Sequence, residues 1–154
     1  MNSSIGVLDL DIRNTNHISN LSYFLSGATG TVRLFDNQNE NYVFFPSLTD
    51  ISHIFDMSPL NATNNTPRRG LGLNFLPSYL FKNATSLTNI DYFYKDVYPS
   101  RATEFEFTNC INIISMNYAY ANSAITSIPE FNSNLNSLVS IKGAFRKVTL
   151  SGNN

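Results

Sequence analysis

The feature that most constrains this chain is a short apolar pattern that recurs five times. In residues 81–97, FKNATSLTNIDYFYKDV, Leu87, Ile90 and Phe93 fall at every third position, with Tyr94 beside the last. The same spacing returns at Ile18, Leu21, Phe24 and Leu25, at Leu48, Ile51, Ile54 and Phe55, at Ile113, Met116, Ala119 and Tyr120, and at Leu138, Ile141, Ala144 and Phe145. Read at helical pitch, each copy is one or two turns of helix, with Leu87, Ile90 and Tyr94 on one face at i, i+3 and i+7. Five copies in 154 residues mean a repeat protein.

Between the copies lie short β-prone pieces. Val7 to Ile12, VLDLDI, alternates, so Leu8, Leu10 and Ile12 point one way and Asp9, Asp11 and Arg13 the other. Thr31 to Phe35 continues this with Arg33 outward, Gly70 to Phe75 with Asn74 outward, and Ala102 to Phe107 with Glu104 and Glu106 outward. Residues 56–70, DMSPLNATNNTPRRG, lack periodicity and read as an inserted loop, which accounts for a copy spacing of 39 residues there against 26 and 25 in the next two intervals. A turn of helix rich in Asn, Ser and Thr does not survive alone in water, because nucleation is costly and these residues have poor helix propensity. Each unit is stable only against its neighbours, with strands edge to edge and the apolar rows merged into one core.

The runs SLTNIDYFYKDV, SLTDISHIFDM and SLVSIKGAFRKV, each beside a Leu/Ile/Phe strand, resemble the BspA-like leucine-rich repeats of bacterial and protist surface proteins. The expected fold is therefore an α/β repeat: a leucine-rich-repeat-like solenoid of short parallel strands and short helices. It forms a single domain over 1–154 with about five units. The resemblance implies a non-enzymatic binding or adhesion surface.

Composition narrows the partners. Charged residues make up 14% of the chain, against about 25% in an average protein, and 22 Asn and 18 Ser leave an uncharged, amide-rich surface. With 10 Lys and Arg against 11 Asp and Glu, the net charge of −1 gives no electrostatic footprint for nucleic acid or an anionic membrane. No apolar run approaches the ~20 residues that span a bilayer. The opening MNSSIGVLDLDIRN puts Asp9 and Asp11 where a signal peptide needs an apolar stretch, so no export signal is expected. The expected setting is thus a virion, as a phage fibre or capsid decoration. The alternative is an adhesion module on a cell surface, as part of a larger protein.

Catalysis is not expected. Asp50, His53 and Asp56 at i, i+3 and i+6 are the one cluster suggestive of a metal, and a metal-dependent enzyme is the most distant alternative; a solvated face with a helix-terminal Asp explains them more simply. Asp9-x-Asp11 reads as polar alternation, the lone Cys110 as a small buried hydrophobe, and His17 has no motif context. Five Asn-x-Ser/Thr sequons, at Asn2, Asn20, Asn61, Asn64 and Asn83, are what so much Asn and Ser produces by chance. No metal and no cofactor are expected. The expected partner is a protein or a surface glycan, met by the outward strip Asp9, Asp11, Arg33, Asn74, Glu104 and Glu106. An alternative site is Tyr92 and Tyr98, which fall off the apolar stripe. A third expectation is assembly with other chains through the solenoid ends, where Val148, Thr149 and Leu150 form a strand edge.

Overall fold

The structure is a computed structural model that describes residues 4–11, 15–35, 44–58, 71–72, 76–97, 105–125, 127–131 and 135–150. Its elements are β1 (Ser4–Asp11), β2 (Thr29–Phe35), β3 (Leu71–Gly72), a four-residue 3-10 helix (Ser78–Phe81), β4 (Ala124–Ile125) and β5 (Thr149–Leu150). Strands β1, β2 and β3 form one parallel sheet in that order, and β4 pairs with β5, also parallel.

The short helices expected from the three-residue spacing are absent, and the α/β solenoid reading is corrected accordingly. None of the five copies is helical. Each is a run of tight turns, here called coil 1 (18–28), coil 2 (48–58), coil 3 (87–97), coil 4 (113–123) and coil 5 (138–148). The destination of the backbone N–H groups explains the difference. In a helix each would bond four residues back in its own copy. Here every second one crosses to the next coil. Tyr92, Tyr94 and Asp96 donate to the carbonyls of Asn117, Ala119 and Ala121 at 2.9, 2.7 and 3.0 Å. Tyr23, Leu25 and Gly27 donate in the same way to Ser52, Ile54 and Asp56, and Tyr118, Tyr120 and Asn122 to Lys142, Ala144 and Arg146. The N–H groups between them close turns within the coil, as in Phe93 to Ile90 and Lys95 to Tyr92.

This backbone needs left-handed residues at fixed places. Tyr23, His53, Tyr92, Tyr118 and Gly143 have φ of 60°, 57°, 55°, 53° and 62° and occupy the same position in successive coils. Each is the third residue of a four-residue turn, where a type II turn places positive φ. Four residues later Gly27, Asp96, Asn122 and Lys147 repeat the device. Asn, Asp and Ser make it accessible, because their side chains bond to nearby backbone and compete with helix. In coils 1 to 3 the Oδ1 atoms of Asn20, Asp50 and Asn89 accept the N–H two residues on, from Ser22, Ser52 and Asp91, at 2.7, 2.8 and 2.9 Å. Coils 4 and 5 carry Ser115 and Ser140 there, and the acceptor comes from the preceding coil: Asp91 Oδ1 takes the Asn117 N–H at 2.6 Å and Asn117 Oδ1 the Lys142 N–H at 2.8 Å. These five residues form one unbroken column of parallel bridges, Asn20 to Asp50 to Asn89 to Ser115 to Ser140.

The apolar rows merge into a single core, as repeat stacking requires. Leu48, Ile51, Leu87, Ile90, Phe93, Phe107, Ile113 and Ala119 are wholly buried. Aromatic rings fill its centre, with Phe55 stacked on Phe105 at 5.3 Å and Phe93 edge-on to Phe107 at 5.3 Å. Strand alternation in β1 follows the sequence, with Leu8 and Leu10 packed on the core and Asp9 and Asp11 exposed. Asp56 and Met57, at the start of the expected loop, are buried and belong to coil 2; residues 59–70 lie outside the described residues.

Candidate binding surfaces

Three surfaces arise from this stack. On the sheet, Asp9 and Arg33 are Cα partners across β1 and β2. Their side chains meet in a two-pronged ion pair, Arg33 Nε to Asp9 Oδ1 at 2.9 Å and the terminal guanidinium nitrogen to Oδ2 at 3.2 Å. The side chains remain 52% and 46% exposed, so the pair is open to solvent and contributes little to stability. Asp11 is exposed on the same face. Glu106 is held elsewhere: it accepts the Ser78 hydroxyl at 2.7 Å and faces Lys82 Nζ at 3.4 Å. Among the described residues, then, the expected strip consists of Asp9, Asp11 and Arg33, with Glu106 engaged by the 3-10 segment. Asn74 and Glu104 lie outside the described residues.

The second surface is an aromatic column that joins Tyr92, expected as a contact residue, to His53, expected on a solvated face, and to two further tyrosines. Tyr23 stacks on His53 at 4.3 Å and 11°, His53 on Tyr92 at 4.3 Å and 10°, and Tyr92 on Tyr118 at 5.3 Å and 26°. The column ends where the Tyr118 ring covers Gly143: a Cβ built on that glycine would lie 2.7 Å from the ring. All four rings sit on the positive-φ residues, so the turn geometry itself aims them along the stack. The signal that could have revealed the column is Gly143 in the place of Tyr92, since glycine marks positions that need positive φ. His53 and Tyr92 have both ring faces covered by neighbours, so the column offers edges along its side. Only Tyr23, at 60% exposure, has a face to give. Lys95 Nζ lies 5.8 Å from the Tyr92 ring centre. Tyr98 lies outside the described residues.

The side chains of Asp50, His53 and Asp56 are engaged within the stack. Asp50 caps its own turn, as described above. Asp56 is 3% exposed, unlike the solvated helix end expected of it. Its Oδ2 meets His53 Nδ1 at 2.7 Å, and its Oδ1 takes the Ser58 N–H at 2.8 Å and the Ser58 hydroxyl. Among the described residues no three His, Cys, Asp or Glu side chains converge as metal ligands would. Cys110 is 1% exposed and donates to the Phe81 carbonyl at 3.0 Å. Burial pushes its thiol up from 9.0 to about 12, partly offset by a hydrogen bond from the Ala84 backbone. A thiolate nucleophile is not available there. His17 is exposed, and Asn83 Oδ1 accepts the Asn109 amide at 2.6 Å.

The third surface is the pair of stack ends. The outer coils expose what the inner coils bury. Phe24 is 52% exposed where its counterpart Phe93 is 0%, Ile141 is 57% where Ile90 is 0%, and Phe145 is 40% where Tyr94 is 1%. Val139 reaches 83%. Strand β5 is exposed along both residues, Thr149 and Leu150, while Val148 is half-buried against the core. Near coil 1 an apolar cavity of about 140 Å³ opens among residues that include Leu21, Phe24, Leu25, Phe55 and Phe81. Comparison of the chain with family models, with characterised proteins and with solved structures finds no match.

Proposed function

We propose that this chain is a non-enzymatic recognition or structural protein that works by docking the ends of its coil stack against another chain. The observation that carries the reading is the contrast just given between inner and outer coils. Exposed Tyr23, Phe24, Val139, Ile141 and Phe145 form apolar patches at opposite ends of an otherwise amide-rich surface, and such patches mark interaction sites. The setting we favour is a virion, where a small subunit must seat on a larger structural protein. An adhesion module of BspA-like type at a cell surface is the second reading. It is favoured by the open Asp9–Arg33 pair and the exposed Tyr23 face, groups suited to a protein or glycan ligand. The test is sedimentation of the native protein at micromolar concentration. Complexes, with itself or with a retained structural protein, are the expected result; a dispersed monomer that retains no partner refutes docking through the ends. Co-sedimentation with particles, as against recovery in the cell envelope, separates the two settings.

A further inference from the structure

The two ends differ in the backbone groups they present, and this difference selects a partner. Within the stack, the N–H groups at four alternate positions of each coil point to the next coil, and the carbonyls at four alternate positions point back. Coil 5 has no coil after it among the described residues. The N–H groups of Ile141, Gly143, Phe145 and Lys147, whose counterparts in coil 3 are the donors Ile90, Tyr92, Tyr94 and Asp96, make no backbone bond among the described residues. Coil 1 has no coil before it among the described residues. The carbonyls of Asn20, Ser22, Phe24 and Ser26, whose counterparts in coil 2 accept from Leu21, Tyr23, Leu25 and Gly27, likewise accept nothing from the backbone of the described residues.

One end thus presents four donors and the other four acceptors in the same register, while the bond that runs the other way at each step, as from the Thr49 N–H to the Ser19 carbonyl, leaves the Val139 carbonyl at the coil 5 end facing the Ser19 N–H at the coil 1 end. Building on the end-docking reading above, we propose that the partner is a second copy of this chain, stacked head to tail so that coil 5 of one donates to coil 1 of the next. Like ends do not match. Two coil 5 faces would set donors against donors and bring Lys142, Arg146 and Lys147 against their own copies. Two coil 1 faces would set acceptors against acceptors. Head to tail, the three cations meet Asn20 to Gly27, a stretch without charge. The side chains also continue their columns: Ile141 meets Leu21, Ala144 meets Phe24, and Phe145 meets Leu25. A head-to-tail contact is heterologous and does not close on itself, so the product is an open filament.

One element stands in the way. Strand β1 begins with Ser4 opposite Thr29, the residue after coil 1, and Thr149 follows coil 5 at the corresponding place, opposite Ala124, the residue after coil 4. Stacking coil 5 on coil 1 brings Thr149 of one copy to the position Ser4 holds in the next. Of the two strands, β5 yields: it pairs through two residues and is exposed, whereas β1 pairs through six. Stacking therefore displaces Thr149 and Leu150 from the place that β1 of the next copy holds.

The test is disulfide trapping of the full chain carrying Ser22→Cys and Lys142→Cys, which occupy one column. Adjacent strands of a parallel ladder lie roughly 5 Å apart, within the reach of a disulfide, while buried Cys110 stays silent. Mild oxidation of the double variant is expected to yield a ladder of dimers, trimers and longer species, with each single variant remaining monomeric. Ser26→Cys with Arg146→Cys should behave alike, and a chain ending at Val148 should trap several-fold more. Dimers from either single variant would mean that like ends meet and would overturn the proposal. No trapping in either pair, with unchanged circular dichroism and a different protein retained on sedimentation, would overturn self-stacking while leaving the end-docking reading intact. Equal trapping with and without residues 149–154 would overturn the displacement of β5.

Discussion

Gly143→Ala probes the turn geometry and the aromatic column together. The residue has φ of +62°, and the added Cβ would lie 2.7 and 2.9 Å from two carbons of the Tyr118 ring. Holding a non-glycine residue in the left-handed region costs about 1–2 kcal/mol. Forcing the ring aside is an overpacking event of about 1–3 kcal/mol, since Tyr118 is held from behind by Tyr92. The variant should therefore lose about 2–5 kcal/mol, a large share of the roughly 5–15 kcal/mol that holds a domain folded. Guanidinium denaturation of the wild type, Gly143→Ala, Tyr118→Ala and the double variant forms a cycle that separates the two costs. With the ring removed, Gly143→Ala should cost only the backbone part, about 1–2 kcal/mol. Gly6→Ala is the control: nothing lies within 4 Å of its Cβ position, so it should be close to neutral. A neutral Gly143→Ala, or a cost that does not change when Tyr118 is absent, would refute the reasoning.

Further expectations follow from the same geometry. Leu87→Ala removes a side chain that is 0% exposed and should destabilise by about 2–5 kcal/mol in chemical denaturation. Asp91→Ala strips the acceptor that bridges coils 3 and 4, which takes the Ser115 hydroxyl at 2.6 Å and the Asn117 N–H at 2.6 Å; a loss of about 2–3 kcal/mol is expected, with faster hydrogen exchange at Asn117. Stability should fall as pH rises from 9 toward 12, because the unfolded chain loses the Cys110 proton near its ordinary value of 9.0 while the folded chain keeps it to about 12. Cys110→Ala should flatten the start of that decline; buried Tyr120, whose hydroxyl is also raised well above 10.0, continues it at higher pH.

Several parts of this structure were legible in the sequence. The apolar rows buried in coils 2 to 4 and the alternation of β1 follow from apolar spacing, because burial does not depend on which backbone produces it; in the outer coils the same spacing falls on the exposed Phe24, Ile141 and Phe145. What spacing could not separate was helix from stacked turns. Leu87, Ile90 and Phe93 face inward in both, since the three-residue interval is close to a helical turn and equals the span of a four-residue turn. The discriminating residues were polar. Asn20, Asp50 and Asn89 stand just before the second apolar residue of their copies, where their side chains cap a turn, and Gly27 and Gly143 mark the left-handed positions. Poor helix propensity in Asn, Ser and Thr goes with a preference for capped turns, which is the form their side chains take here. Candidate sites were legible only where they are local. Asp9 and Arg33 could be assigned to the outer face from alternation, whereas the Tyr23–His53–Tyr92–Tyr118 column joins residues from four coils and depends on a backbone conformation that Tyr and His rarely adopt.

The central claim is that the copies are turn coils bonded to one another rather than helices bonded to themselves. Scalar couplings across hydrogen bonds, measured by NMR on the isotopically labelled chain, test it directly. The account predicts couplings from the N–H of Tyr92, Tyr94 and Asp96 to the carbonyls of Asn117, Ala119 and Ala121, with positive φ at Tyr92 and Tyr118. Couplings from Tyr94 to Ile90 and from Lys95 to Asp91, four residues back within the same copy, would mean a helix and would contradict it.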